Sequence, residues 1–180
     1  MNLGLIHIYC GNGKGKTTAA MGLGVRAAGR GYKVLLTQFL KDNESGELKS
    51  IEKLNDNFHV LFGEPMKKFF KYLSDEDKLD VIKEHRERFE EVTKKAVEEE
   101  YDLLIMDEIM ASLTYGILEL DKVVDFLKSK PKNLEVVLTG RNPDKVLIEL
   151  ADYVSEVNLI KHPFVDKKVP ARIGIEKWLY

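Results

Sequence analysis

Gly11-Asn12-Gly13-Lys14-Gly15-Lys16-Thr17-Thr18 is the stretch that decides the fold. Before it, Leu3–Tyr9 is a short apolar run, the pattern of a buried strand. After it, Lys16–Ala28 is rich in alanine and is stopped by Gly29 and Gly31, which predicts a helix. Lys33–Phe39 predicts a second strand. Strand, tight glycine turn, helix and strand make a βαβ unit with a right-handed crossover. Successive backbone N–H groups in such a turn surround phosphate oxygens, and the helix N-terminus adds partial positive charge. Lys16, read as a solvent-facing loop lysine, is placed to reach those oxygens, and the Thr17 hydroxyl to ligate a phosphate-bound Mg²⁺. A glycine turn without a ligand is the weaker reading in this strand–loop–helix context.

The loop departs from the common phosphate-loop spacing, which has four residues between its first glycine and Gly-Lys-Thr. That spacing would require glycine at position 10, where Cys10 stands, and only three residues separate Gly11 from Gly15. The curvature of the loop is therefore expected to differ. Cys10 reads as a small buried residue at a strand end.

Outward from this unit, a short helix is expected around Leu48–Leu54, a strand at Phe58–Phe62 and a loop from Gly63 to Tyr72. Ser74-Asp-Glu-Asp77 has the acidic character of a helix start, and the helix is expected to reach Glu100. Asp102–Met106 predicts a buried strand that delivers Asp107-Glu108 at its carboxyl end. Asp121–Lys130 and Asp144–Ala151 read as helices, Leu134–Thr139 as a strand and Tyr153–Ile160 as a last, weaker strand. Strands alternating with helices predict an α/β fold. It is P-loop NTPase-like (RecA-like), a mostly parallel sheet with helices on both faces. Its 180 residues suit one domain, 1–180.

The charge balance excludes some partners. Lys and Arg total 28 and Asp and Glu 30, a net charge of −2, which gives no reason to expect nucleic acid or an anionic membrane. A single cysteine excludes an intrachain disulfide and a multi-cysteine zinc site and fits a reducing compartment. No run approaches the roughly eighteen apolar residues of a membrane span, and no secretory signal is visible. A cytoplasmic protein is expected.

Three further groups carry possible chemistry. Asp107-Glu108 after four apolar residues suits a carboxylate acting on Mg²⁺ directly or through water. Thr139-Gly-Arg141 follows another strand and reaches the edge where open α/β sheets bind ligands, so Arg141 is placed to clamp phosphate with its planar fork. An ordinary surface arginine is an equal reading. Arg26 lies well along the first helix, facing solvent or the nucleotide. His7, His59 and His85 are assigned to structure, and the four histidines show no metal-ligand spacing.

Together these residues resemble the P-loop type of ATP:corrinoid adenosyltransferase. The match takes in Gly11–Ala20 with its shortened loop, Arg26-Ala-Ala-Gly-Arg-Gly31, Gln38-Phe-Leu-Lys41, Gly46-Glu47 and Asp107-Glu108. It continues with Gly116, Leu118, Pro131, Leu138-Thr-Gly-Arg141, Ala151-Asp152, Glu156, Lys161-His-Pro-Phe164 and Gly174-Ile175. The resemblance implies ATP bound with its triphosphate reversed and a corrinoid, cobalamin or a precursor, as second substrate. Co(I) of the corrinoid attacks the 5′ carbon of the ribose, and tripolyphosphate leaves. It implies Mg²⁺ (or Mn²⁺) held by Thr17 and Glu108 with Asp107 in support, and catalytic roles for Lys16, Thr17 and Glu108. Gly11, Asn12, Gly13, Lys14, Gly15, Lys16, Thr17 and Thr18 would bind the nucleotide. Asn12 and Arg26 would lie near the nucleoside and Arg141 near phosphate or the corrinoid rim. A homodimer and a flavoprotein reductant are also implied. In the family an N-terminal arm covers the site and a Phe-x-Trp segment presses on the corrinoid. Here the chain starts at the first strand, Phe62–Phe70 stands at the place of that segment, and the one tryptophan is Trp178. Phe62, Phe69 and Phe70 are the candidate substitutes, with core packing as the equal reading. Two other function classes remain open: an ordinary P-loop ATPase or kinase that cleaves the β–γ bond, and a non-enzymatic corrinoid or nucleotide carrier.

Overall fold

The structure, a computed structural model, describes residues 4–54 and 56–175, so Trp178 lies outside the described residues. Six strands form one sheet: β1 (Ile6–Cys10), β2 (Val34–Gln38), β3 (Phe58–Val60), β4 (Leu103–Asp107), β5 (Glu135–Thr139) and β6 (Tyr153–Glu156). Their order is β3-β2-β4-β5-β1-β6, and every pairing is parallel. All carboxyl ends therefore lie along one edge. The helices are α1 (Lys16–Ala28), α2 (Gly46–Leu54), α3 (Asp75–Glu98), α4 (Ile109–Thr114), α5 (Leu120–Ser129), α6 (Lys145–Leu150) and α7 (Pro163–Lys167).

Alternation along the strands divides the core in two. Val34, Leu36, Leu103, Ile105 and Val137 face α1 and α2, meeting Ala20, Met21, Leu48 and Ile51. Leu35, Leu104, Met106, Val136 and Leu138 face the other way, meeting Phe89 and Val92 of α3, Met110 of α4, Val123 and Leu127 of α5 and Leu147 of α6. Burial on both faces explains why these strands are nearly all apolar. Three helix starts among the described residues carry side-chain caps: Ser74 accepts from the Asp77 N–H, Asp144 from the Val146 N–H, and His162 from the Phe164 N–H.

Several expectations change, and the third strand ends at Val60 instead of reaching Phe62. The last strand ends at Glu156 instead of continuing to Ile160, because the chain turns to hydrogen-bond the glycine loop. A one-and-a-half-turn helix, α4, follows Glu108 directly, and α7 forms over Pro163–Lys167. Within Gly63–Tyr72, residues Phe70–Tyr72 close a single 3-10 turn. No helix among the described residues is long and apolar enough to cross a membrane.

Candidate active site

The glycine loop joins β1 to α1 and is held from one side by the chain leaving β6. The Gly13 N–H donates to the Val157 carbonyl at 2.7 Å, the Val157 N–H to the Cys10 carbonyl at 2.8 Å, and the Leu159 N–H to Asn12 Oδ1 at 3.1 Å. A Cβ at Gly11 would stand 2.5 Å from the Val157 oxygen, and one at Gly13 2.7 Å from it. These two glycines admit the chain leaving β6, in addition to any ligand. Gly15 is required for a different reason. It has open space around it but a φ of 125°, a conformation that side chains rarely adopt.

Lys16 is buried, 8% exposed, and its Nζ donates to the Gly13 carbonyl at 2.9 Å. The expectation of a solvent-facing lysine is therefore corrected: the ammonium lies folded over its own loop. Burial pulls its pKa below the usual lysine value, and Arg141 lowers it further while Glu108 and Asp107 act against them.

The acidic pair sits at the end of β4, between the ends of β2 and β5. Asp107 is fully buried and surrounded by donors. Thr17 Oγ1 donates to Oδ1 at 2.9 Å, Thr139 Oγ1 to Oδ1 at 2.7 Å, and Gln38 Nε2 to Oδ2 at 2.8 Å. Lys41 Nζ is 3.8 Å from Oδ2. Glu108 takes a left-handed backbone, φ 60°, and its N–H donates to Thr139 Oγ1 at 2.9 Å. That turn points consecutive acids differently: Asp107 stays in the core while Glu108 lines the cavities above it. Burial, then the neighbouring Asp107, holds Glu108 above the usual carboxylate range.

Two cavities open along the carboxyl edge of the sheet. The first, about 940 Å³, is lined by Asn12 through Thr18, by Met21 and Val25 of α1, by Ser45–Glu47 at the start of α2, and by His162 and Ile173. The second, about 880 Å³, is lined by Met66, Phe69, Phe70, Tyr72 and Tyr115 together with Lys67, Lys68 and Lys71. Lys41, Glu108 and Arg141 line both, so the cavities meet at these three residues.

Most of the expected site residues are brought together. Asn12, Gly13, Lys14, Gly15, Lys16, Thr17, Thr18, Glu108 and Arg141 line the first cavity; Gly11 starts the loop and Asp107 lies beneath Thr17. Arg26 stands apart, exposed in the last turn of α1 and outside the cavity lining. Phe69 and Phe70 line the second cavity and neither is a core residue; Phe62 is exposed and lines neither cavity. Cys10 is a buried strand-end residue, its thiol pushed up by burial and by Glu156. His59 Nδ1 lies 2.8 Å from Tyr101 Oη, and the His7 ring stacks on Tyr153.

Sequence reasoning missed three contributors. Lys41 looked like the start of a polar loop, and nothing local marks it as shared by two cavities. Ser45 Oγ is buried in the first cavity with no hydrogen-bond partner among the described residues. Thr139 was a neighbour of Arg141 in sequence, whereas in space it is the hydroxyl that holds both acids.

The oxygens of Thr17, Asp107 and Glu108 are hard donors of the kind Mg²⁺ and Mn²⁺ take. Gln38 Oε1, carried by the amide that also binds Asp107, is buried and without a partner among the described residues, which suits an ion with bound water nearby. No group of three or more His, Cys, Asp or Glu among the described residues suffices to hold a metal ion. An ion here would need phosphate oxygens and water to complete its shell, as Mg²⁺ commonly does.

Parallel sheet, glycine loop and an acid pair two strands away, across β5, define a P-loop protein of the α/β class, with a second cavity beside the one at the glycine loop. Residues 2–177 match the family model of the ATP:corrinoid adenosyltransferases BtuR/CobO/CobP, and the chain belongs to that family. It is 36% identical over 174 residues to the corrinoid adenosyltransferase of Escherichia coli (strain K12), spanning 96% of this chain and 85% of that one. The corrinoid adenosyltransferase CobA of Salmonella typhimurium is 32% identical over 179 residues, with 96% and 85% covered. A corrinoid adenosyltransferase from a Sinorhizobium species is 37% identical over 178 residues, with 96% and 80% covered.

Proposed function

We propose that the protein transfers the 5′-deoxyadenosyl group of ATP to the Co(I) centre of a corrinoid, cobalamin or a precursor, in adenosylcobalamin biosynthesis or salvage. One observation carries this reading: a phosphate-loop cavity and an aromatic cavity of similar size meet at Lys41, Glu108 and Arg141. Phosphoryl transfer to water has no use for the second cavity. A large flat substrate that must touch the nucleotide does, and aromatic faces suit it.

In this reading the corrinoid, as substrate, supplies the nucleophile. Its Co(I) electron pair forms the bond to C5′ while the C5′–O bond breaks, and tripolyphosphate leaves with that bonding pair. No proton moves, so no protein base takes part. The chain contributes position and charge. Lys16 and the loop N–H groups offset the charge gathering on the leaving oxygens, and Arg141 is placed to add to them from the cavity junction. Thr17 and Glu108 would hold Mg²⁺ (or Mn²⁺), with Asp107 orienting Thr17 through its 2.9 Å hydrogen bond. When bound, that ion supplies further charge neutralisation at the phosphates. Phe69 and Phe70 take the part of the missing Phe-x-Trp segment at the corrinoid face. The family likeness further supports a single domain over 1–180, and a homodimer in the cytoplasm served by a flavoprotein reductant.

The test mixes the protein with ATP, Mg²⁺ and chemically reduced cobalamin. The expected products are a light-sensitive cobalt–carbon species and tripolyphosphate in equal amounts. ADP and phosphate with unchanged corrinoid would assign the site to an ordinary P-loop ATPase or kinase instead; tight binding without turnover would assign it to a carrier.

A further inference from the structure

Three ionisable side chains on adjacent turns of α3 point into the protein: Glu84, His85 and Arg88, with His85 1% and Arg88 4% exposed. Buried ionic groups seldom gain stability over apolar packing, so what they hold is the informative question. Arg88 Nη1 donates to the Gln38 carbonyl at 2.8 Å, and Nη2 to Glu84 Oε2 at 3.1 Å. His85 Nε2 accepts the Leu40 N–H at 3.1 Å, and Nδ1 lies 2.6 Å from Glu84 Oε2. The first contact requires Nε2 without a proton, so a neutral ring carries its proton on Nδ1, which stands close to Glu84 without the alignment of a hydrogen bond. Glu84 Oε1 accepts the Glu64 N–H at 3.1 Å. Gly63 passes so near that a Cβ there would stand 2.2 Å from Arg88 Nη1.

These contacts grip two chain segments, the exit of β2 (38–40) and the exit of β3 (63–64). Both lead directly into walls of the second cavity: Leu40, Lys41 and Asp42 from one, Met66 onward from the other. The segments are also tied together, since the Met66 N–H donates to the Lys41 carbonyl at 3.0 Å. Leu40 is left-handed, φ 53°, a conformation that persists in a non-glycine residue only where its surroundings enforce it. The next residue is Lys41, shared by both cavities.

We propose that Glu84, His85 and Arg88 are positioning residues that set Lys41 at the junction of the two cavities by fixing the exits of β2 and β3. The triad touches neither cavity and acts through the backbone at Leu40. Its kinetic test rests on the adenosyl-transfer reading above; its structural test does not.

The decisive pair is His85→Gln, which can keep an acceptor near the position of Nε2, and His85→Asn, which reaches only the position of Nδ1. His85→Asn is expected to lower kcat/KM for the corrinoid about tenfold or more while KM for ATP changes little, and His85→Gln to restore most of it. In a Lys41→Met background the same His85→Asn change is expected to cost less than about twofold, because the two share one route. A full loss in both backgrounds, or wild-type kinetics in His85→Asn, overturns the proposal. If His85→Asn does not fold, Glu84→Gln is carried through the same cycle under the same criteria. Should the wild-type protein transfer nothing, the adenosyl-transfer reading fails and amide hydrogen exchange at Leu40 decides for the triad. Faster exchange in His85→Asn than in wild type and His85→Gln supports it, and equal exchange in all three overturns it.

Discussion

Thr139 Oγ1 donates to Asp107 Oδ1 at 2.7 Å and accepts the Glu108 N–H at 2.9 Å, so one hydroxyl on β5 fixes both acids at the end of β4. The strand order makes this possible, because β5 lies between β4 and the loop-bearing β1. Thr139→Val removes both bonds at nearly constant volume and leaves a buried N–H and carboxylate short of partners. We expect about a 10–100-fold loss of kcat/KM and about 1–3 kcal/mol of stability, with Thr139→Ser close to wild type. Steady-state kinetics beside thermal melts check this; a Thr139→Val enzyme with unaltered kinetics would show that Glu108 is held by other means.

Lys16→Ala should abolish transfer without unfolding the chain. The lost bond to the Gly13 carbonyl is worth about 1 kcal/mol, while loss of a charge aimed at the leaving phosphates costs about a hundredfold or more in kcat. A folded variant with near-wild-type turnover would remove Lys16 from the phosphate site.

Phe69 is 77% exposed, so its truncation costs little stability. Phe69→Ala is expected to raise KM for the corrinoid several-fold and leave KM for ATP unchanged, since it lines only the second cavity. Equal effects on both substrates would break the assignment of one cavity to each.

Two glycine substitutions should act in opposite directions. Gly13→Ala drives a methyl to 2.7 Å from the Val157 carbonyl and should destabilise by about 1–3 kcal/mol. Gly22→Ala adds a methyl in open space within α1 and should stabilise by about 0.5–1 kcal/mol. Paired denaturant titrations read both, and an unaffected Gly13→Ala protein would mean that the chain after β6 can leave the loop freely.

Acid should weaken the fold through α3. Burial, then Arg88, holds His85 below its usual pKa against the pull of Glu84. Between that lowered value and about 6.5 the unfolded chain binds more protons than the native one, so stability rises with pH across this window. His85's contribution is complete above about pH 6.5 and is lost as pH falls below it. Glu84 is partly buried, which raises its pKa, yet His85 and Arg88 outweigh that and hold it below the ordinary carboxylate value, so its share goes at lower pH still. Wild type should lose more melting temperature between pH 7 and pH 5 than His85→Gln; parallel curves would exclude His85 as the titrating group.

Much of this was legible along the chain. The glycine loop, the apolar strands and the acid pair each lie within a dozen residues, and period and turn chemistry report such local order directly. The extent of the last strand was not legible, since Val157 leaves the sheet to bond Cys10 and Gly13, far away in sequence. The buried state of Lys16 was hidden for the same kind of reason. A lysine in a polar loop reads as solvated until the fold closes the loop over it.

By itself the sequence determined the class of fold and the place of the glycine loop, because a strand, a glycine turn and a helix must follow one another in the chain. The family match over residues 2–177 in turn supports the two substrates. Only the tertiary structure decided that Thr139, Gln38 and Thr17 converge on Asp107, and that Lys41, Glu108 and Arg141 stand where two cavities meet. Those residues come from the ends of β2, β4 and β5 and from the first turn of α1. Their proximity depends on the order of strands in the sheet, which local pattern does not encode.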